Sequence, residues 1–211
     1  GDHGSFAMDG DGNWSYTAAD SATIQALDVG DTLTETFQVT TNGGNVETIT
    51  VTINGAEDAP TITGSSAGDV FEDGSLSTGG TLTAVDADAG ESGFQASSAT
   101  GDHGSFAMDG DGNWSYTAVD SPAIQALDVG DTLTETFQVT TNGGNVETVT
   151  VTINGTNDDP VVETITGGSG DEDTLITGQV TASDVEGDDL TFSLDTSEGA
   201  TVATNGTVTV N

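Results

Sequence analysis

The residues best placed to do chemistry are acids grouped in short segments. They are Asp28 and Asp31 in ALDVGD, Glu57 and Asp58 in GAEDAP, and Asp86 and Asp88 in VDAD. Further along come Glu72 and Asp73, then Asp128 and Asp131 in a second ALDVGD, then Asn157, Asp158 and Asp159 in GTNDDP. Asp184, Glu186 and Asp188 follow in SDVEGDD. These are hard oxygen donors with no His or Cys among them, a set that suits Ca²⁺ rather than zinc or copper. Ca²⁺ takes about 6–8 oxygens, usually several carboxylates with carbonyls and water. The plainer reading is solvated surface acid, which most Asp and Glu are. Against it stands a chain with 36 acids, no Lys or Arg and a formal charge of -36, so no acid has a basic partner.

Other candidate chemistry is weaker. His3 and His103 are equivalent copies in GDHGSF, and neither has a visible nucleophile to serve. They read as structural, and the chain does not read as an enzyme. GDGNW occurs at Gly10–Trp14 and again at Gly110–Trp114. An EF-hand reading would run from Asp9 to Asp20, but it requires glycine where Trp14 stands, and flanking helices. Gly and Asn between two alternating aromatic runs instead predict a hairpin turn.

Composition removes several functions. Without basic side chains there is nothing to neutralise phosphates or to approach an anionic membrane surface, so nucleic acid is excluded as a partner. No apolar run nears the roughly 20 residues that span a bilayer, so membrane insertion is not expected. The absence of Cys removes disulfides and thiolate chemistry. High net charge with few aromatics is a signature of disorder. TLTETFQVTT and ETVTVTING alternate like strands, however, so the chain reads as a folded β protein completed by cations.

The elements that must position these acids come from a repeat of period 100. Residues 1–60 differ from residues 101–160 at only seven positions, among them Ala22/Pro122 and Glu57/Asn157. Each copy ends in an acidic, Pro-ended tail that reads as an extended linker. The organisation expected is a C-terminal half-unit over 1–60, a complete unit over 61–160 and the N-terminal half of a third over 161–211. The chain then reads as a window on a longer tandem array. The runner-up is that the two end halves complement each other, within one chain or between neighbours.

Seven strands are predicted in the complete unit: A over Thr61–Phe71 with a break at GSSAG, B over Thr81–Asp86, C over Phe94–Ser98, D over Ser105–Met108, E over Trp114–Ala118, F over Thr132–Thr141 and G over Val146–Asn154. SPAIQAL reads as a turn-like or helical insert. Short strands with Gly/Asp/Asn turns predict an all-β immunoglobulin-type antiparallel sandwich. Phe106, Met108, Trp114, Tyr116, Leu133, Phe137, Val139, Val149 and Val151 would fill its core by alternation. If successive strands run antiparallel, the B–C, D–E and F–G loops share one pole and the A–B, C–D and E–F loops share the other. Asp28, Asp31, Glu57, Asp58, Asp86 and Asp88 then meet at a first joint. Glu72, Asp73, Asp128, Asp131, Asn157, Asp158, Asp159, Asp184, Glu186 and Asp188 meet at a second. Glu35 and Glu135 share parity with inward residues, and either a bulge or a place at the sheet's end would account for them.

GTLTAVDAD, GSFAMDGDGNWSYT, AIQALDVGDTLTETFQVTT and VTINGTNDDP together resemble the VCBS repeat of giant bacterial surface proteins. GDEDTLITGQVTASDVEGDDLTFSLD resembles the start of a bacterial cadherin-like repeat. The resemblance implies tandem cadherin-like sandwiches in an RTX-type adhesin, exported by a type I system to the bacterial cell surface and used in adhesion and biofilm formation. It also implies Ca²⁺ at the joints, carried over onto Glu72, Asp128, Asp131, Asn157, Asp158, Asp184 and Glu186 or Asp188. Glu57, where the second linker has Asn157, departs from that pattern. The partners expected are neighbouring repeats of the same chain and other copies of it. The function expected is that of a calcium-stiffened extender in an adhesin stalk. The alternatives are a glycan- or protein-binding module, which would need an exposed aromatic platform, and homophilic association.

Overall fold

A computed structural model describes residues 1–193 of the chain; the terminal GTVTVN segment of the third unit lies outside the described residues. The described structure is almost entirely β. The first unit contributes two hairpins, β1 (Gly4–Met8) with β2 (Trp14–Ala18) and β3 (Thr32–Thr40) with β4 (Val46–Asn54), linked through one helical turn, α1 (Ala22–Gln25). The middle unit contains β5 (Thr61–Gly64), β6 (Ala67–Phe71), β7 (Ser77–Val85), β8 (Ser97–Thr100), β9 (Gly104–Met108), β10 (Asn113–Ala118), β11 (Thr132–Thr140) and β12 (Val146–Asn154). A last hairpin pairs β13 (Val161–Thr166) with β14 (Gln179–Ser183).

The middle unit is a sandwich of a five-stranded sheet, ordered β5-β7-β10-β9-β8, on a three-stranded sheet, ordered β11-β12-β6. Its strands alternate as their sequences require: in β10, Trp114, Tyr116 and Ala118 are buried while Asn113, Ser115 and Thr117 face water. Phe106, Met108, Phe137, Val139, Val149 and Val151 close the core with them, and Leu133 is only partly buried against it. Ile124 and Leu127, from the SPAIQAL turn, join this core.

The single strand A is two strands in two sheets. β5 pairs antiparallel with β7, then the chain crosses and β6 pairs parallel with β12. The crossing turns on Gly64, whose φ of 112° suits glycine, and a Cβ there would meet the Thr81 carbonyl oxygen at 2.2 Å. The sandwich is therefore not wholly antiparallel. Strand C is displaced in a similar way. Phe94 makes one bridge to Thr141 at the end of β11, and the strand proper, Ser97–Thr100, pairs with β9 on the opposite sheet.

The GDGN segments are hairpin turns in both copies. Asp9 Oδ1 accepts from the backbone N–H groups of Asp11 (3.0 Å) and Asn13 (2.9 Å), and Asn13 Nδ2 donates to Asp9 Oδ2. Asp109, Asp111 and Asn113 repeat the pattern. The aspartate is engaged in building the turn, and Gly12 and Gly112 carry its positive φ.

The two copies differ in what covers them. Trp114 is 3% exposed; its indole lies between Gly68 of β6 and Gly80 of β7 and donates to the Ser65 carbonyl at 2.7 Å. Trp14, on the same hairpin of the first unit, is 48% exposed. Residues 1–60 fold the two hairpins that carry the aromatic row, and the described residues provide no counterpart of β6 and β7 over them.

Candidate metal centre

The acids of the first joint reach one place from three segments. Asp28 follows α1, Glu57 lies in the linker after β4, and Asp86, Asp88 and Glu91 lie in the loop after β7. Two groups have carboxylate oxygens within 4.8 Å of one another: Asp28, Glu57 and Glu91, and Asp86, Asp88 and Glu91. The linker is tied to the second group, since the Asp58 N–H donates to Asp88 Oδ2 at 2.8 Å. The loop is folded from within as well: the Asp88 N–H donates to Asp86 Oδ1 at 3.0 Å, and the Ser92 hydroxyl accepts from the Asp86 N–H. From the turn after β11, Asn142 donates to the Ser92 carbonyl and holds the loop against the sandwich.

Electrostatically the site is strained. Asp88 is 2% exposed, and its Oδ1, together with Asp86 Oδ2 and Glu91 Oε2, is buried without a hydrogen-bond partner. Burial pushes the Glu57 carboxyl above its ordinary range, and Asp28, Asp88, Asp86 and Asp58 push it further. Burial also raises Glu91, followed by the charges of Glu57, Asp28, Asp86 and Asp88. Buried carboxylate oxygens need a hydrogen-bond donor or a positive partner; the three named here have no donor, and the chain has no Lys or Arg to offer a charge. The residues fit a hard divalent cation: all donors are oxygens, they converge from two units, and their buried lone pairs are unmatched.

The second joint is assembled from homologous segments but less tightly. Glu72 is 4% exposed and accepts from the Thr156 N–H, while the Thr156 hydroxyl donates to Asp73 Oδ2 at 2.9 Å. The Asp158 N–H donates to Glu186 Oε1 at 3.0 Å, matching the Asp58–Asp88 contact of the first joint. Asp184 Oδ1 accepts from the N–H groups of Glu186 and Asp188. Burial raises the Asp158 carboxyl, with Asp73, Asp184 and Asp159 adding to the effect. Glu72 Oε2 and Glu186 Oε2 are buried without partners. A groove of about 650 Å³ opens beside this linker, lined by Pro122, Gln125, Asp158, Val161 and Asp184 among others. Asn157 is turned to its own neighbour, donating to the Asp158 carbonyl. Asp128 accepts from the Val129 N–H, and Asp31 and Asp131 are exposed beside the joints. Among the described residues, both groupings of three carboxylates lie at the first joint.

Glu91 was not among the residues singled out by sequence. Its loop is seated by Gly93–Gln95 beside the end of β11, through the Gln95 N–H to the Thr140 carbonyl and the Asn142 N–H to the Gly93 carbonyl. The burial of Glu35 and Glu135 has a different explanation. Register runs unbroken through Glu135↔Val151, so there is no bulge, and Glu135 faces inward at 8% exposure. Its carboxylate accepts from the Tyr116 hydroxyl and from the His103 N–H at 2.9 Å, tying one sheet to the other. Glu35 does the same with Tyr16 and His3. The Tyr16 hydrogen bond lowers the Glu35 carboxyl, and burial together with Glu35 pushes Tyr16 up to about 12. The histidines contribute a backbone amide here.

Residues 57–155 match the family model of the bacterial cadherin-like domain. The matched span runs from Glu57 to Gly155 and so includes the middle sandwich with Glu57, Asp86, Asp88 and Glu91 of the first joint. Among solved structures, the chain is similar to protocadherin gamma B2 extracellular cadherin domains 3-6, at 16% identity and a TM-score of 0.46, over 85% of this chain and 44% of that one. It is similar to the protocadherin gamma B4 extracellular domain at 16% identity and a TM-score of 0.44, over 86% of this chain and 31% of that one. Mouse PcdhgC3 EC1-3 gives 15% and 0.41, over 85% and 62% respectively. The chain thus spans less than two thirds of the length of each. No curated protein matches the sequence.

Proposed function

We propose that the chain is a run of tandem cadherin-like sandwiches, divided as 1–60, 61–160 and 161–211, whose joints are stiffened by Ca²⁺. In this reading it is an extender within the stalk of a bacterial cell-surface adhesin of RTX type, exported by a type I system and serving adhesion and biofilm formation. The observation that carries the reading is the first joint. Carboxylates of two units and their linker meet there with buried, unmatched oxygens, in a chain without Lys or Arg. Asp28, Glu57, Asp58, Asp86, Asp88 and Glu91 would hold cations at that joint. Glu72, Asp73, Asp158, Asp184 and Glu186 would do so at the second, with Asp31, Asp128, Asp131, Asn157, Asp159 and Asp188 close by.

A bound divalent ion supplies positive charge that the protein lacks. The residues themselves do the rest: Asp58 and Asp158 tie each linker to the following loop through their N–H groups. Without the ion, carboxylates on the two sides of a joint repel and the linker becomes a hinge. The chain should therefore lengthen and stiffen with calcium, and small-angle scattering with and without chelator measures this. An unchanged maximum dimension would overturn the reading. Asp158→Ala should loosen the second joint alone and leave the sandwich folded, with Trp114 emission unchanged.

A further inference from the structure

The turn between β3 and β4 and the turn between β11 and β12 have the same sequence, TNGGN, at Thr41–Asn45 and Thr141–Asn145. They also have the same backbone bonds. Thr41 and Thr141 donate to the carbonyls of Asn45 and Asn145, and Gly44 and Gly144, both at positive φ, donate back to Thr41 and Thr141. Each turn sets an asparagine directly before a glycine, and asparagine is among the chemically labile residues. The glycine nitrogen can attack the side-chain carbonyl carbon of the asparagine, closing a cyclic imide and expelling ammonia. Water then opens the imide, and aspartate or isoaspartate remains. Glycine favours this because no Cβ hinders the approach. The step needs a free glycine N–H and an asparagine side chain free to swing.

The Asn–Gly pairs differ on both counts. At Asn54–Gly55 and Asn154–Gly155 the glycine N–H is engaged, donating to the carbonyls of Asp31 and Asp131 at 3.0 Å. The N–H groups of Gly43 and Gly143 make no hydrogen bond among the described residues. What separates those two pairs is the side chain. Asn142 Nδ2 donates to the Ser92 carbonyl at 2.6 Å, and the Asn142 N–H donates to the Gly93 carbonyl at 3.0 Å. Glu91 Oε2 covers Gly143, lying 2.2 Å from where a Cβ would sit. Asn42 is exposed and makes no hydrogen bond among the described residues, and only the Thr41 hydroxyl, at 3.8 Å, lies over Gly43. We infer that Asn42–Gly43 is a site of spontaneous deamidation in the folded chain, and that Asn142–Gly143 is held unreactive by its clasp on the loop of Ser92 and Gly93, converting only when that loop lifts. Conversion at residue 142 is then irreversible. The new carboxylate cannot donate to the Ser92 carbonyl, and it adds a negative charge next to the glycine that Glu91 covers. The loop that carries Asp86 and Asp88 stays lifted. The reaction takes up one water and releases one ammonia, with no other reactant.

Ageing the intact chain at mildly alkaline pH, then sequencing its chymotryptic peptides by tandem mass spectrometry, reads both sites. The peptides that begin at Gln38 and Gln138 are told apart by Ile49 and Val149. Residue 42 should convert at least about tenfold faster than residue 142, the protection that two hydrogen bonds give against local opening. In urea the two should convert at one rate, because Ile24–Thr48 and Ile124–Thr148 are identical. Gly93→Ala sets a Cβ 3.2 Å from Asn142 Nδ2; it should speed conversion at residue 142 and leave residue 42 alone, with Trp114 emission checking that the sandwich is intact. Asn142→Asp should speed hydrogen exchange at the Gln95 N–H, which donates to the Thr140 carbonyl at 2.9 Å, and Asn42→Asp should not. Equal rates at the two sites in the folded chain overturn the inference, as does an unreactive Asn42. Unequal rates in urea overturn it too, since the difference would then lie outside the fold. Unchanged exchange at Gln95 in Asn142→Asp overturns the clasp.

Discussion

At the scale of single residues, the chain satisfies its acids in two ways, inside the sandwich and in surface turns. Glu135 is matched by donors: the Tyr116 hydroxyl and the His103 N–H occupy its oxygens. Removing one donor leaves a buried acceptor unsatisfied, which costs about 1–3 kcal/mol. Tyr116→Phe should therefore lower the stability of the middle sandwich by that amount, measured by urea unfolding followed through Trp114. Asp109 is matched within its own turn. The Asn113 side chain, first, and the backbone N–H groups after it hold the Asp109 carboxyl below its ordinary 3.8. A lowered folded pKa means the carboxylate favours the folded turn above the ordinary aspartate range, and that help is lost as pH falls through the lowered value. Asn113→Ala should bring the Asp109 titration back up towards 3.8, read from its carboxyl carbon resonance. Asp88 and Glu91 have oxygens that no donor matches, and that difference separates a structural acid from a candidate ligand.

At the scale of elements, the slot around Trp114 decides whether a unit is closed. A Cβ on Gly68 would lie 2.8 Å from the indole, and one on Gly80 would lie 2.9 Å from it. Gly80→Ala should overpack the sandwich and cost about 1–3 kcal/mol, with Trp114 emission moving to the red. Acrylamide should quench Trp14 and spare Trp114, since only Trp114 has β6 and β7 over it. Much of this level was legible in advance. The alternation in WSYTA, TLTETFQVT and ETVTVTIN placed β10, β11 and β12 and most of the core, because period-two patterns report burial directly. The sheet changes of strands A and C were not legible. A strand that crosses between sheets keeps its alternation on both sides, and only a glycine such as Gly64 marks the crossing. Parity brought the loops of the first joint to the right pole, yet Glu91 was missed, since its approach depends on the seat at Gly143 in a turn some fifty residues away.

At the scale of the whole molecule, a formal charge of -36 sets the behaviour of the chain. Self-repulsion opposes compaction, and monovalent salt screens it over a Debye length of about 10 Å at 0.1 M. In chelator, raising sodium chloride should therefore increase the melting temperature of the middle sandwich; with calcium bound the same salt series should have a smaller effect. Thermal unfolding followed by circular dichroism makes the comparison. The parallel pairing of β6 with β12 carries a consequence for how the unit is made. It joins Ala67 to Thr150, near opposite ends of the unit's sequence. Contacts so distant in sequence form late and slow folding. As the polypeptide emerges, β6 must wait with a bare edge until the last strand arrives, beside neighbours nearly identical to its proper partner. A charge of -36 on every copy should oppose the pairing of such unfinished edges with the wrong repeat, so the acids that burden the finished fold would also guard its assembly.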